Sequence, residues 1–317
     1  MLVYSAADFE DFLEPRPDLP SNLEKDLTEV VSLLAANKWP FRIHATYDES
    51  ISRMLNVFEK VDREIPFTGT KWFFDHCETI SDRSLERVKA LGGGIATQDR
   101  MAFQGEYFLD RYGKRAAERT PPIRKMLELG IPVGAGTDAT RVASYNPWLS
   151  LYWLVSGKTV GGASLYSEAN RLSREEALKL YTQGSSWFSG EAGRKGTIAA
   201  GQLADVTALT EDYFSVPEEK IKGIESVLTI VDGRIVYGAQ EFQGFDPPPL
   251  PVLPEWSPIK VYGGYGAPLD IGKSARAGVP VLPHQHAAEC RHHHNGTKAA
   301  ASRFSEFWGL GCDCFAF

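Results

Sequence analysis

The sequence from Ile131 to Thr140, IPVGAGTDAT, constrains the fold of this chain more than any other stretch. A short apolar run ends in glycines and is followed at once by Asp138. This pattern is typical of a buried strand with an acid at its carboxyl end. Two earlier stretches have the same form with histidine: PFRIHA carries His44 and KWFFDHCE carries His76. Helical sequence separates the three. The pattern predicts a parallel α/β barrel whose rim offers His, His and Asp to a metal ion.

Charge and cysteine content restrict the partners and the compartment. The 317 residues include 41 acidic and 34 basic side chains, giving a formal net charge of −7. With no long basic run, neither nucleic acid nor an anionic membrane is an expected partner. Four cysteines are too few for a disulfide framework at this length, which favours a reducing compartment. The first residues show no secretory leader pattern, and no apolar run is long enough to cross a bilayer, so we expect a cytoplasmic location.

Hydrophobic periodicity divides the chain into three parts. Residues 1–190 contain four predicted strand–helix units, the last with a capping box, SREE, at Ser173 to Glu176. Residues 191–244 consist of short β-runs, with Asp232–Gly233 as a predicted hairpin turn. Residues 245–317 are rich in proline and glycine and carry histidines and cysteines. We expect this tail to be disordered.

These motifs together resemble one known group of enzymes. RIHA, FFDHCE and GAGTDATR at the three strand ends are similar to the amidohydrolase superfamily, in its YtcJ-like branch of metal-dependent hydrolases. The similarity continues in LSREEALKLYT, and in GTIAAGQLADV followed by VDGRIVY. It covers Leu2 to Gly238 and does not extend to the tail.

The resemblance implies an eightfold barrel beside a β-sandwich. His44 and His76 would be the metal-site histidines of the fifth and sixth strands, and Asp138 the aspartate of the eighth. The family also has an HxH pair on its first strand and usually a carboxylated lysine on its fourth, and neither is found here. We therefore expect the second half of a TIM (β/α)8 barrel with part of the β-sandwich, truncated and completed by a missing N-terminal half or a second copy. HQH at His284 to His286 does not replace the pair, because it follows Pro283 in a region without strand pattern.

The implied activity is hydrolysis of small-molecule amides, at non-peptide C–N bonds, by a metal-activated water, with zinc as the expected divalent metal. Asp138 suits transfer of the water proton to the leaving amine, His76 suits contact with the metal or the substrate carbonyl, and His44 suits a plain ligand. The alternatives are purely structural roles: each histidine could be a hydrogen-bonded core residue, and Asp138 could belong to a turn or cap a helix.

Residues around these three have predicted roles of their own. Because neighbours on a strand point to opposite faces, Cys77 is expected to pack in the core. Glu78 shares a face with His76 and is a candidate to orient it, although a solvated loop acid is the favoured interpretation. A long loop is expected from Phe103 to Arg119. Loops on this side of a barrel line active sites, so three of its aromatic residues are candidates for a pocket wall: Tyr107, Phe108 and Tyr112.

Two other functions compete with hydrolysis. An inactive fragment or binding subunit would need a partner or a second copy, because a parallel half-barrel leaves two strand edges unpaired. A metal-sequestering protein would act through donors in the tail: His284, His286, Cys290, His292, His293, His294, Cys312 and Cys314. Their spacing matches no zinc-finger pattern, which favours an unstructured tail.

Overall fold

Four short strands form a parallel sheet in the computed structural model, which describes residues 20–139 and 143–248. Each strand pairs in parallel with the next in chain order, and within the described residues the first and fourth are the edges of the sheet. Parallel strands present their carboxyl ends at one edge, so residues that follow these strands meet there. The strands are β1 Phe41–Ala45, β2 Trp72–His76, β3 Gly94–Gln98 and β4 Val133–Gly136.

Helices alternate with these strands, which confirms the predicted α/β class. A π-helical turn, Leu180–Gly184, joins the eighth helix to the ninth. No described helix combines the length and the apolar character needed to cross a bilayer. The helices are α1 Leu23–Ala36, α2 Asp48–Glu64, α3 Asp82–Ala90, α4 Arg100–Tyr112, α5 Lys114–Ala117, α6 Ile123–Glu128, α7 Pro147–Ser156, α8 Arg174–Lys179, α9 Ser185–Phe188 and α10 Glu218–Ile221.

An aromatic cluster packs one face of the parallel sheet against α2. Phe58 of α2 is fully buried, and its ring centroid lies 5.0–6.0 Å from those of four other rings. Those neighbours are Phe41, Phe67, Trp72 and Phe74. Trp72 and Phe74 lie in β2. Because side chains alternate along a strand, Phe73 and Asp75 of the same strand point to the opposite face of the sheet.

The opposite face meets α9 at the amino ends of the strands. The ring of Phe73 lies 4.6 Å from that of Phe188, edge to face. Gly94 and Gly134 make room for this contact, since a Cβ atom on either would lie 2.7 Å from the ring of Trp187 or Phe188. Aromatic side chains thus fill the amino end of this face, and polar side chains of the sheet lie at the carboxyl ends of the strands.

Gly184 is expected to tolerate no side chain. A Cβ atom there would lie 2.2 Å from the carbonyl oxygen of Val133 and 3.3 Å from the Cα atom of Gly134, both in β4. Gly184→Ala should lower the free energy of unfolding by about 1–3 kcal/mol through overpacking, as measured by urea denaturation. Gly136→Ala is the matched control, because no atom of the described residues lies within 4 Å of its added Cβ. Equal losses at the two glycines would contradict this account.

The loop predicted from Phe103 to Arg119 is wrong, because α4 and α5 occupy most of it. The buried residues Met101, Gly105 and Phe108 follow helical spacing. A glycine inside a helical pattern weakens the prediction of a helix. Gly105 is instead explained by packing, since a Cβ atom there would lie 2.1 Å from Cδ1 of Leu165.

Three antiparallel strands form a second sheet: β5 Val206–Leu209, β6 Ser226–Val231 and β7 Arg234–Gly238. The hairpin predicted at Asp232–Gly233 is confirmed, with φ values of 50° and 74°. Two positive φ values are what a two-residue type I′ turn requires. The described residues up to Pro247 belong to one compact unit. The tail expected to be disordered lies outside the described residues from position 249 onward.

The predicted capping box at the start of α8 is confirmed and carries an ion pair. Glu176 accepts a hydrogen bond from the backbone amide of Ser173 at 2.8 Å. Its two oxygens also face the guanidinium of Arg124, at 2.5 and 3.0 Å. Arg124 holds the pKa of Glu176 down at about 2, against partial burial, and the hydrogen bonds from Ser173 add to the lowering.

Glu176→Gln should cost about 1 kcal/mol of folding free energy at pH 7, because it removes the charge but keeps a capping amide. The folded pKa lies below the ordinary value of 4.5, so the wild-type advantage is present above pH 4.5 and is lost as the pH falls toward about 2. Urea denaturation at several pH values measures it. Glu175→Gln, which removes an exposed pair with Lys179, should cost less than about 0.5 kcal/mol. A difference that does not vary with pH would count against the ion pair.

Candidate active site

The three residues predicted from the sequence meet at the carboxyl edge of the parallel sheet. His44 is the penultimate residue of β1, His76 ends β2, and Asp138 follows β4 by two residues. The ring centroids of His44 and His76 are 4.2 Å apart. Nε2 of His76 is 4.0 Å from Oδ2 of Asp138. His76 is buried at the centre of the group, while 44% of the Asp138 side chain is exposed.

The backbone at two of these strand ends adopts the left-handed region. His76 has φ 79°, Cys77 has φ 59° and Asp138 has φ 52°. Such values are uncommon outside glycine and concentrate at functional sites. A hydrogen bond of 2.9 Å from the Cys77 amide to the Ala45 carbonyl holds the turn after β2. The strand therefore ends before Cys77, so strand alternation does not set its direction, although Cys77 is buried as a packing role requires.

Burial controls the charge of the central imidazole. It lowers the pKa of His76 well below the ordinary value, and the neighbouring charges of His44 and Arg100 lower it further. His76 is therefore neutral at pH 7. The neutral imidazole is the form of histidine that binds metal ions.

Each imidazole has a polar neighbour at the edge of hydrogen-bonding range. Nδ1 of His76 lies 3.8 Å from Oε1 of the buried Glu78, beyond the ~3.2 Å of an ordinary hydrogen bond. Nε2 of His44 lies 3.4 Å from Oγ1 of Thr46. The orienting role predicted for Glu78 stays a prediction at this distance.

Two buried aspartates at the same edge were not among the candidates from the sequence. Burial raises the pKa of Asp75 to about 6, Arg42 opposes the rise with Nε 3.3 Å from Oδ2, and the charge of Asp138 adds to it. Asp99 follows β3 directly and is fully buried. Burial raises its pKa to about 8, its own backbone amide opposes this in part, and Asp138 adds to the rise. Asp75 is the penultimate residue of β2 and Asp99 directly follows β3, so both acids lie at the carboxyl end of a short strand. The same position identified Asp138.

The predicted pocket wall is corrected in part. Phe108 is buried in the hydrophobic core, so it cannot line a pocket. Tyr107 and Tyr112 are 40% and 37% exposed, and they lie on α4 instead of a loop. The ring centroids of Phe108 and Tyr112 are 4.6 Å apart, so the two rings pack against each other along one side of α4.

The donor set suits a divalent metal chemically, but the described residues do not complete a coordination sphere. Neutral imidazoles and a carboxylate are ligands that zinc accepts. Within residues 20–139 and 143–248, however, no three His, Cys, Asp or Glu side chains are arranged to hold one ion. The 4.0 Å between His76 and Asp138 also exceeds the ~3.4 Å between two tetrahedral ligands at zinc. Further ligands and a small movement would be needed.

Solved structures support the architecture. An uncharacterized metal-dependent hydrolase from Pyrococcus horikoshii OT3 superposes with a TM-score of 0.52 at 24% identity, over 62% of this chain and 39% of that one. At this identity the likeness concerns the fold alone. The closed barrel inferred from the sequence remains an interpretation of the four-stranded sheet.

Sequence comparisons agree with the motifs at the strand ends. The YtcJ protein of Bacillus subtilis (strain 168) is 28% identical over 199 residues, 62% of this chain and 37% of that protein. An N-substituted formamide deformylase of Arthrobacter pascens is 26% identical over 214 residues, 67% of this chain and 38% of that protein. The chain thus spans well under half of each relative. The model of the amidohydrolase family matches residues 1–237. The chain belongs to the amidohydrolase family, in its YtcJ-like branch.

Proposed function

We propose that this chain carries one part of a metal-dependent active site that hydrolyses non-peptide C–N bonds in small amides. The supporting observation is the convergence of His44, His76 and Asp138 at one edge of a parallel sheet. The name of the Arthrobacter relative, a deformylase of N-substituted formamides, agrees with this bond type. N-substituted formamides are therefore the first substrates to test.

His44 and His76 are the proposed metal-binding residues, and Asp138 is the proposed third ligand and proton carrier. When bound, a divalent metal, with zinc as the proposed ion, polarises the substrate carbonyl and lowers the pKa of water. Asp138 accepts the proton that the attacking water loses and delivers it to the amide nitrogen as the C–N bond breaks. Its exposed carboxylate can reach a substrate, whereas the buried, neutral His76 holds a fixed position.

We further propose that ligands from outside the described residues complete this site. The sheet has β1 and β4 at its edges within the described part of the chain, whereas a closed barrel of this type has eight strands. The absence of a three-ligand group among those residues agrees with this. The completing polypeptide would be a missing N-terminal half or a second copy of the chain.

Zinc binding by the full-length chain tests the proposed ligands. His44→Ala and His76→Ala, singly and together, should bind less zinc than the wild type in equilibrium dialysis followed by elemental analysis. His293→Ala, in the tail, is the matched control and should leave the zinc held by the strand-end residues in place. Circular dichroism verifies that each variant is folded. Equal zinc contents in the wild type and the double variant would remove the basis for the proposal.

A non-catalytic binding subunit is the second candidate, favoured by the incomplete ligand group. It predicts that zinc bound through His44 and His76 is accompanied by no hydrolysis of N-substituted formamides. Zinc that depends on the tail histidines alone would instead favour metal sequestration.

A further inference from the structure

Asp99 carries a fully buried carboxyl group that the proposed reaction does not use. It immediately precedes α4, but its side chain does not cap that helix. Neither carboxyl oxygen makes a hydrogen bond to another described residue. A buried carboxyl in such surroundings is strongly unfavourable when ionised, unless a partner compensates its charge. Buried polar atoms without partners therefore point to a proton, an ordered water or an ion.

Two hydroxyl groups from neighbouring helices share these surroundings. Ser150 of α7 is 1% exposed, and the Tyr181 hydroxyl, in the π-helical turn after α8, is also buried. Neither hydroxyl makes a well-formed hydrogen bond within the described part of the chain. Burial raises the pKa of Tyr181, the charge of Asp99 raises it further, and Ser150 lowers it. Helix α7, which carries Ser150, packs against α4, which Asp99 precedes, and against α8, which leads into the turn that carries Tyr181. This packing brings the three residues into one region, and the effects of Asp99 and Ser150 on Tyr181 agree with it.

No basic side chain of the described residues compensates this group. The pKa of Asp99 responds to the like charge of Asp138 and to no neighbouring cation. Arg100 is next in sequence, but its charge acts on His76. The region therefore combines one potential negative charge with uncharged oxygen atoms.

We propose that Asp99, Ser150 and Tyr181 bind one monovalent cation, sodium or potassium, beside the carboxyl end of β3. Carboxylate and hydroxyl oxygens are ligands for hard cations, and none of the three residues offers the nitrogen or sulfur donors that zinc favours. One carboxylate matches a single positive charge, whereas a divalent ion would leave an excess charge buried. This site shares no residue with the His44, His76 and Asp138 group, so its test does not depend on the proposed hydrolysis.

Thermal unfolding of the full-length chain tests this site. Melting is compared in sodium, potassium and choline chloride at equal ionic strength and about pH 9, above the pKa of Asp99 at about 8. Sodium or potassium should raise the melting temperature by about 2–4 °C over choline, with saturation. Asp99→Asn should abolish this difference. Asp110→Asn, the same change at an exposed position of α4, should preserve it.

Tyr181→Phe removes only one hydroxyl group and should weaken the cation effect, so the test holds even if Asp99→Asn does not fold. Identical wild-type melting in all three salts would overturn the proposal and assign the site to a proton or a water molecule. A cation effect that persists in Asp99→Asn or is unchanged in Tyr181→Phe would place the ion elsewhere and would equally overturn it.

Discussion

Asp138→Asn is expected to lower the rate of the proposed hydrolysis of N-substituted formamides by about 10²–10⁴-fold. Asparagine keeps the size of the side chain and an oxygen that can contact a metal, but it cannot accept and return a proton. Because 44% of the Asp138 side chain is exposed and asparagine has nearly the same shape, the substitution should disturb folding little. The loss should therefore appear in turnover and not in stability. Single-turnover measurements on the zinc-loaded chain, at concentrations that favour association of copies, provide the rate.

Asp110→Asn is the matched control for this prediction, because it removes a carboxylate from an exposed position of α4. It should leave the rate within a factor of about two of the wild type. Zinc content is measured in both variants, so that a lost ligand is distinguished from a lost proton carrier. An Asp138→Asn protein that retains the wild-type rate would exclude Asp138 as the proton carrier.

The sequence predicted the positions of the site residues better than their surroundings. His44, His76 and Asp138 each end an apolar run, and parallel strands bring such ends together whatever the helices between them do. Asp75 and Asp99 also lie at the carboxyl ends of their strands. Neither stood out, because an acid beside a more conspicuous histidine or before an apparent loop has several ordinary uses. Their perturbed pKa values depend on burial, which a one-dimensional pattern does not supply.

Helix α4 shows where local signals fail. Its glycine, Gly105, argues against a helix on propensity, yet the helix passes so close to Leu165 that any side chain at this position would have to displace the leucine. The contact joins residues far apart in sequence, so no local window contains the information. The Asp232–Gly233 hairpin was predictable for the opposite reason, because its backbone conformation is set by its own two residues.

The turn after β2 is another place where a local sequence rule fails. Strand alternation would place Cys77 opposite His76, but positive φ values at both residues end the strand there. The hydrogen bond from Cys77 to Ala45 ties that turn to β1. The position of His76 thus depends on how firmly β1 and β2 are held, which makes the packing beneath them part of the site.

The packing beneath β1 and β2 centres on Phe58, and Phe58→Ala is expected to lower the free energy of unfolding by about 3–5 kcal/mol. The ring is fully buried and packs against aromatic side chains from both strands. Its centroid lies 5.7 Å from that of Phe41 in β1 and 5.0 Å from that of Trp72 in β2. Its removal leaves a cavity that these rigid neighbours cannot fill. Urea denaturation measures the loss. Phe214→Ala is the matched control: its ring is 58% exposed and contacts only Tyr213 among the described aromatic rings, so the same truncation should cost less than about 1 kcal/mol. Similar losses for the two variants would show that the cluster does not hold the strands that carry His44 and His76.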